Sequence, residues 1–143
     1  MLAIRPAKAT DWDEIEKIYT SATGHQLTLT DEECLRLIAL GGIVIAEAGN
    51  ISIGFGGIDV KAREQLRWLY LLPEYQRAGL GSKILRELEQ IGWRSGLQSI
   101  RLHSTPNAVQ FYAKLGYHRV PVNEQFGHDH DGVEMVKTRP DNF

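Results

Sequence analysis

Residues 66–85 read LRWLYLLPEYQRAGLGSKIL, an apolar run that breaks at Pro73 and passes through Gly79 and Gly81 into an amphipathic stretch. The run from Leu66 to Leu72 is mostly apolar, as a central strand covered on both faces requires. Pro73 cannot donate to a ladder and ends it. Downstream, Ile84, Leu85, Leu88 and Ile91 recur at helical spacing, with Lys83, Arg86, Glu87 and Gln90 elsewhere, and Gly96 closes the helix. Ser99 to His103 read as the next strand. Strand, helix and strand in this order demand a parallel pair joined by a crossover.

On the N-terminal side, Ile43 to Ala48 and Ile51 to Val60 form two strands around Gly49-Asn50, a hairpin signal. Gly54, Gly56 and Gly57 interrupt the second strand and predict a bulge or bend. Before the hairpin, Thr30 begins T-D-E-E, a capping box for a short helix bearing Leu35, Ile38 and Ala39, which Gly41 and Gly42 close. An earlier helix, capped by Thr10 or Asp11, carries Ile15, Ile18 and Tyr19 on one face, and Leu2, Ile4 and Arg5 make a first strand stopped by Pro6. On the C-terminal side, Thr105-Pro106 starts a helix that Gly116 stops, and Tyr117 to Val122 and Val133 to Lys137 are the last strands. The order predicts an α/β (α+β) fold, with a mixed, mostly antiparallel central sheet of about six to seven strands and helices on both faces.

Length and composition agree. The 143 residues suit one domain spanning 1–143, and 43% hydrophobic with 24% charged residues permits a packed core. A net charge of −2 offers no electrostatic reason to expect nucleic acid or a membrane as partner. Cys34 stands alone, so no internal disulfide forms. The opening MLAIRPAKATDW lacks the apolar core of a signal peptide, and no run approaches the ~20 apolar residues of a membrane span. A cytoplasmic location is the expectation.

Glycines where a strand hands over to a helix point to an anion. The first N–H groups of a helix lack internal partners, the dipole favours negative charge, and missing side chains let a phosphate reach the main chain. A dinucleotide fingerprint would place a third glycine where Ile84 stands. A Walker loop needs Gly-Lys-Ser/Thr after four spacers, which GLGSKI does not supply.

The segment Gln76-Arg77-Ala78-Gly79-Leu80-Gly81 fits a third pattern, Q/R-x-x-G-x-G/A, and here the chain resembles the GNAT superfamily of N-acetyltransferases. NAVQFYAKLGY, Asn107 to Tyr117, is similar to the family's N-A-x-x-F-Y-x-x-x-G-F/Y segment, and VEMVK, Val133 to Lys137, to its last strand. The resemblance covers Leu66 to Lys137. It implies acetyl-CoA as acyl donor without a metal, its pyrophosphate held by main-chain donors of Arg77, Ala78, Gly79, Leu80, Gly81 and Ser82. The Arg77 side chain either pairs with a phosphate or is solvated. Leu69, Tyr70 and Leu71 would run beside the pantetheine arm, and a bulge would splay this strand from its parallel neighbour to open a slot for the thioester. Asn107 either contacts the CoA arm or makes a local bond at the helix start. The resemblance makes Tyr112 the group that protonates the leaving thiolate.

A base for the amine is less evident. The two places where many members carry a glutamate hold Gln65 and Arg67. Glu64 adjoins them, but one step along a strand reverses the face. Glu47, Asp59, His103, Tyr70 or water are the remaining candidates, which favours an acceptor that loses its proton easily. GHDHDG, Gly127 to Gly132, alternates histidine and aspartate and reads as a solvated turn or acceptor contact before a metal site. Trp12, Trp68 and Trp93 read as packing, His25 as surface and Cys34 as inert core.

The reading is therefore an N-acetyltransferase acting on a small amine or peptide amine, with a homodimer among the states its relatives adopt. A non-catalytic acyl-CoA-binding module of the same fold is the alternative.

Overall fold

A computed structural model describes residues 2–26, 31–121 and 132–143. Strand β1 (Leu2–Pro6) leads through a short turn of 3₁₀ helix (Ala9–Asp11) into α1 (Trp12–Thr23) and α2 (Asp31–Ala39). The hairpin β2 (Ile43–Ala48) and β3 (Ile51–Ile58) is followed by β4 (Leu66–Leu71), α3 (Leu80–Arg94), β5 (Ser99–Ser104), α4 (Val109–Lys114), β6 (His118–Arg119) and β7 (Val133–Thr138). These strands form two sheets, β1-β2-β3-β4 and β5-β7-β6, and every hydrogen-bonded strand pair among the described residues is antiparallel. The mixed α/β fold expected from the sequence is present.

Strand alternation places helices on both faces of the larger sheet. Val44 and Ala46 of β2 pack with Ile84, Leu85 and Leu88 of α3. Ile43 and Ile45 turn the other way, with Phe55, toward Ile15 and Ile18 of α1 and Cys34 and Leu37 of α2. Cys34 is thus a buried thiol that is in no disulfide, and Trp68 and Trp93 are buried packing residues. On α3, Glu89 is buried too, accepting from the Tyr117 hydroxyl at 2.9 Å and from Lys137 Nζ at 3.0 Å, so the helix is tied to β7 by a satisfied charge.

The glycines of β3 owe their presence to close approach. A Cβ on Gly56 would lie 2.7 Å from Ile84 Cγ2 and from Leu88 Cδ1. One on Gly54 would lie 2.6 Å from Leu71 Cδ2. Gly57 lies under the Trp68 ring, where a Cβ would stand 2.2 Å from Cε3. Irregularities accompany them: the register shifts between Ala46 and Glu47 against β3, and between Gly57 and Ile58 against β4.

Several boundaries differ from expectation. The second hairpin strand ends at Ile58, not Val60, because Asp59 begins a turn: its N–H donates to Gln65 O at 2.7 Å and its carboxylate accepts Lys61 N–H at 3.1 Å. β4 ends at Leu71, although Leu72 N–H still reaches Ile53 O at 2.8 Å. Pro6 closes β1 from within the strand, since it still faces Val44. Asp11 makes no side-chain cap on α1; its carboxylate accepts Lys8 N–H and both guanidinium ends of Arg5. The strand expected over Tyr117 to Val122 is described only at His118–Arg119, with Val120 N–H donating to Glu134 O at 2.9 Å. Thr30 and residues 127–131 of the histidine-aspartate segment lie outside the described residues. Among the described residues no helix is long and apolar enough to cross a membrane.

Gly57→Ala drives a methyl into a rigid indole. It is expected to lower stability by about 1–3 kcal/mol in denaturant titration, the usual cost of overpacking.

Candidate active site

Among the described residues, strand β4 pairs only with β3 and β5 only with β7, so no ladder joins β4 to β5. At their beginnings the two are linked by a side chain: Gln65 Oε1 accepts the Arg101 N–H at 2.8 Å. Beyond that link the strands leave a cleft of about 190 Å³, walled by Trp68, Leu69 and Tyr70 of β4, by His103 and Ser104 of β5, and by Tyr112 of α4. The bulge is on β4. Gly57 faces Trp68 and Ile58 faces Leu66, so Arg67 has no partner across the ladder and is exposed.

The backbone of β4 offers donors to this cleft. Leu72 N–H is directed at β3, where it bonds Ile53 O. Alternation along an antiparallel strand then points the N–H and C=O of Leu71 and Leu69 away from β3. Gln76 Nε2 accordingly donates to Leu71 O at 3.3 Å, folding the glycine junction back onto the end of β4.

Tyr112 meets Phe111 and Tyr117 edge-on at 5.1 and 5.8 Å between ring centroids. Burial, with Tyr70 nearby, pushes its hydroxyl up to about 12, so it stays protonated through the neutral range. Tyr70 packs edge-on against Tyr19 at 5.0 Å, and burial raises its hydroxyl as well.

In the junction, Arg77 has φ 66 and Gly79 φ 79, both left-handed. Arg77, Ala78 and Gly79 are exposed, and Leu80, Gly81 and Ser82 half-buried. Ser82 Oγ donates to Gly79 O at 2.8 Å, inside the first turn of α3. A Cβ on Gly81 would meet Phe111 Cζ at an ordinary 3.4 Å. Asn107 is exposed on the 3₁₀ turn Pro106–Ala108 and does not wall the cleft.

The candidate bases separate sharply. Glu47 is engaged by Arg5 at 2.9 Å. Asp59 bonds Arg36 at 3.1 Å; burial pushes its carboxyl up, but Arg36 and the Lys61 N–H outweigh this and hold it below the usual range. His103 does wall the cleft, and its Nδ1 lies 2.5 Å from Glu64 Oε2. Glu64 is not on a strand, so the face-reversal argument does not apply to it: it sits in the turn that Asp59 starts, one residue before Gln65. The roles of Glu64 and Gln65 escape a linear reading because both depend on β5 lying alongside.

Gly79→Ala is expected to cost about 1 kcal/mol through its left-handed backbone, whereas Gly81→Ala changes stability by less than about 0.5 kcal/mol. Thermal melts of the two variants test this contrast.

Comparison with known proteins places this geometry. The chain is 31% identical over 75 residues to a Bacillus subtilis protein named as a candidate acetyltransferase, a match covering 52% of this chain and 51% of that one. The chain thus matches about half the length of that curated relative. A crystal structure of PaiA N-acetyltransferase from Thermoplasma acidophilum in complex with coenzyme A superposes with a TM-score of 0.79 at 22% identity, over 97% of this chain and 99% of that one. YncA of Salmonella typhimurium, determined with its cofactor acetyl-CoA, gives 0.73 at 19% identity, over 96% and 94%. The pattern of the Acetyltransferase (GNAT) domain matches residues 32–139, three-quarters of the chain, and the protein belongs to that family.

Proposed function

We propose that the protein transfers an acetyl group from acetyl-CoA to a primary amine by direct attack. The observation that carries this reading is the unladdered cleft between β4 and β5, with a protonated Tyr112 on its wall and the glycine junction at its end. The free edge of β4 suits an extended arm that carries amides, so Leu69, Tyr70 and Leu71 would flank the pantetheine. The N–H groups of residues 77–82 would receive the pyrophosphate, with the exposed Arg77 and Asn107 available to the rest of the nucleotide. The Leu71 N–H would stabilise the oxyanion formed as the amine adds to the thioester carbonyl.

In this scheme the C–S bond breaks with its electron pair on sulfur, and Tyr112 supplies the proton. A hydroxyl held at about 12 remains a donor well above neutrality, so Tyr112 contributes no alkaline fall in rate until pH nears that value.

Titration calorimetry with acetyl-CoA, CoA and ATP tests the donor. Micromolar binding of the first two without ATP is expected. With a panel of amines and thiol detection, Tyr112→Phe should lower kcat by about 10²-fold or more while the acetyl-CoA Kd stays unchanged. Acetyl-CoA binding without turnover of any amine would instead indicate a non-catalytic acyl-CoA-binding module.

A further inference from the structure

His103 occupies the wall of the cleft that Tyr112 also borders, and it reaches there from β5. Its Nδ1 is taken by Glu64 at 2.5 Å, so Nε2 is the ring nitrogen that Glu64 does not hold. A carboxylate can only accept, so in the neutral imidazole Nδ1 carries the hydrogen and Nε2 keeps its lone pair. Glu64 is itself placed firmly. Asp59 anchors its turn through Lys61 N–H, Ala62 N–H and Arg36, and Gln65 fastens the next residue to β5. Glu134 lies opposite His103 across the β5–β7 ladder and is buried.

Ligand-type atoms of Glu64, His103 and Glu134 all fall within 4.8 Å of one another. An ion held jointly by His103 Nδ1 and Glu64 Oε2 does not fit their spacing. Metal–ligand bonds of about 2.0–2.2 Å hold two ligands of one ion about 3 Å apart or more. Nδ1 and Oε2 are in direct hydrogen-bond contact, which leaves no room for an ion between them.

We propose that His103 is the general base for the acceptor amine and that Glu64 is its positioning residue. This rests on the acetyl-transfer reading above and adds the group that β4 lacks at Gln65 and Arg67. Nε2 takes a proton from the amine nitrogen as its lone pair forms the new C–N bond. The C–S bond then breaks, and the thiolate is protonated by Tyr112. After product release, solvent carries the proton from His103 back to Tyr112, so the sum is amine plus acetyl-CoA giving amide plus CoA.

The test has two arms on the full chain. In the first, nitrogen-15 NMR of the histidine side chains is recorded with and without CoA. Neutral His103 should be the Nδ1–H tautomer, and Glu64→Ala should abolish that preference. An Nε2–H tautomer in the wild type overturns the proposal, whether or not an acceptor is known. In the second, two peptides of matched length present either an N-terminal α-amine or a lysine ε-amine. His103→Gln should lower kcat/KM by about 10²- to 10⁴-fold with the acetyl-CoA Kd unchanged. A loss of that size for either amine supports the assignment, and wild-type rates in His103→Gln overturn it. If the wild type acetylates neither peptide nor any panel amine, the acetyl-transfer reading fails, and the tautomer still decides whether the dyad exists. Zinc titration is the control: tight binding lost in His103→Gln would replace the proton-sharing dyad with a metal site.

Discussion

One missing ladder organises this molecule. Two neighbouring strands with exposed edges would ordinarily pair, because an unpaired backbone amide away from water is costly. Here β4 and β5 are held together at one end by the Gln65 carboxamide on Arg101 N–H and are kept apart beyond it. A side chain thereby does the work of a ladder rung. Past it, the edge of β4 carries no strand among the described residues, and the Leu69 and Leu71 amides are directed to that edge by the same alternation that sends Leu72 to β3.

The position of α3 decides where the glycine junction lies, and β3 decides the position of α3. Gly54 and Gly56 present no side chains on the face that Ile84 and Leu88 cover, so helix and sheet approach within what a Cβ would occupy. The N-terminus of α3 then adjoins the end of β4, where Gln76 reaches Leu71 O. The glycines of the chain therefore serve two separate physical purposes. Those of β3 make room, whereas Gly79 supplies a backbone conformation with open space around it.

The walls of the cleft differ in their proton chemistry. Tyr112 is surrounded by Phe111, Tyr117 and Tyr70, and burial holds its proton firmly. His103 stands beside a carboxylate from a turn. One environment favours the neutral donor, and the other orients an acceptor, so under the proposed function a single cleft would present both groups that an acyl transfer requires. Two other candidate carboxylates are committed elsewhere, Glu47 of β2 to Arg5 and Asp59 of the turn after β3 to Arg36.

Local signals carried much of this into the linear chain. Helical and strand periods, the Gly49-Asn50 turn and the Q-R-A-G-L-G junction depend on residues within a few positions of one another, so they could be read without the fold. The family followed from the same stretch and from Asn107 to Tyr117, and the pattern matching residues 32–139 agrees. Other features had no local mark. The β4 bulge at Arg67 arises from the register against β3, and an alternating L-R-W looks like an ordinary strand. The glycines of β3 looked like a bend, yet they answer to a helix some thirty residues downstream in sequence. Read as part of a strand, Glu64 faces away from the site, but the Asp59 turn takes it off the strand and gives it to His103, 39 residues away. The sequence by itself determined the elements and the glycine junction between β4 and α3, because backbone preference and hydrophobic period act over short range. Only the tertiary structure decided which strands stay unpaired and which carboxylate meets which histidine, because those contacts join residues whose separation along the chain carries no signal.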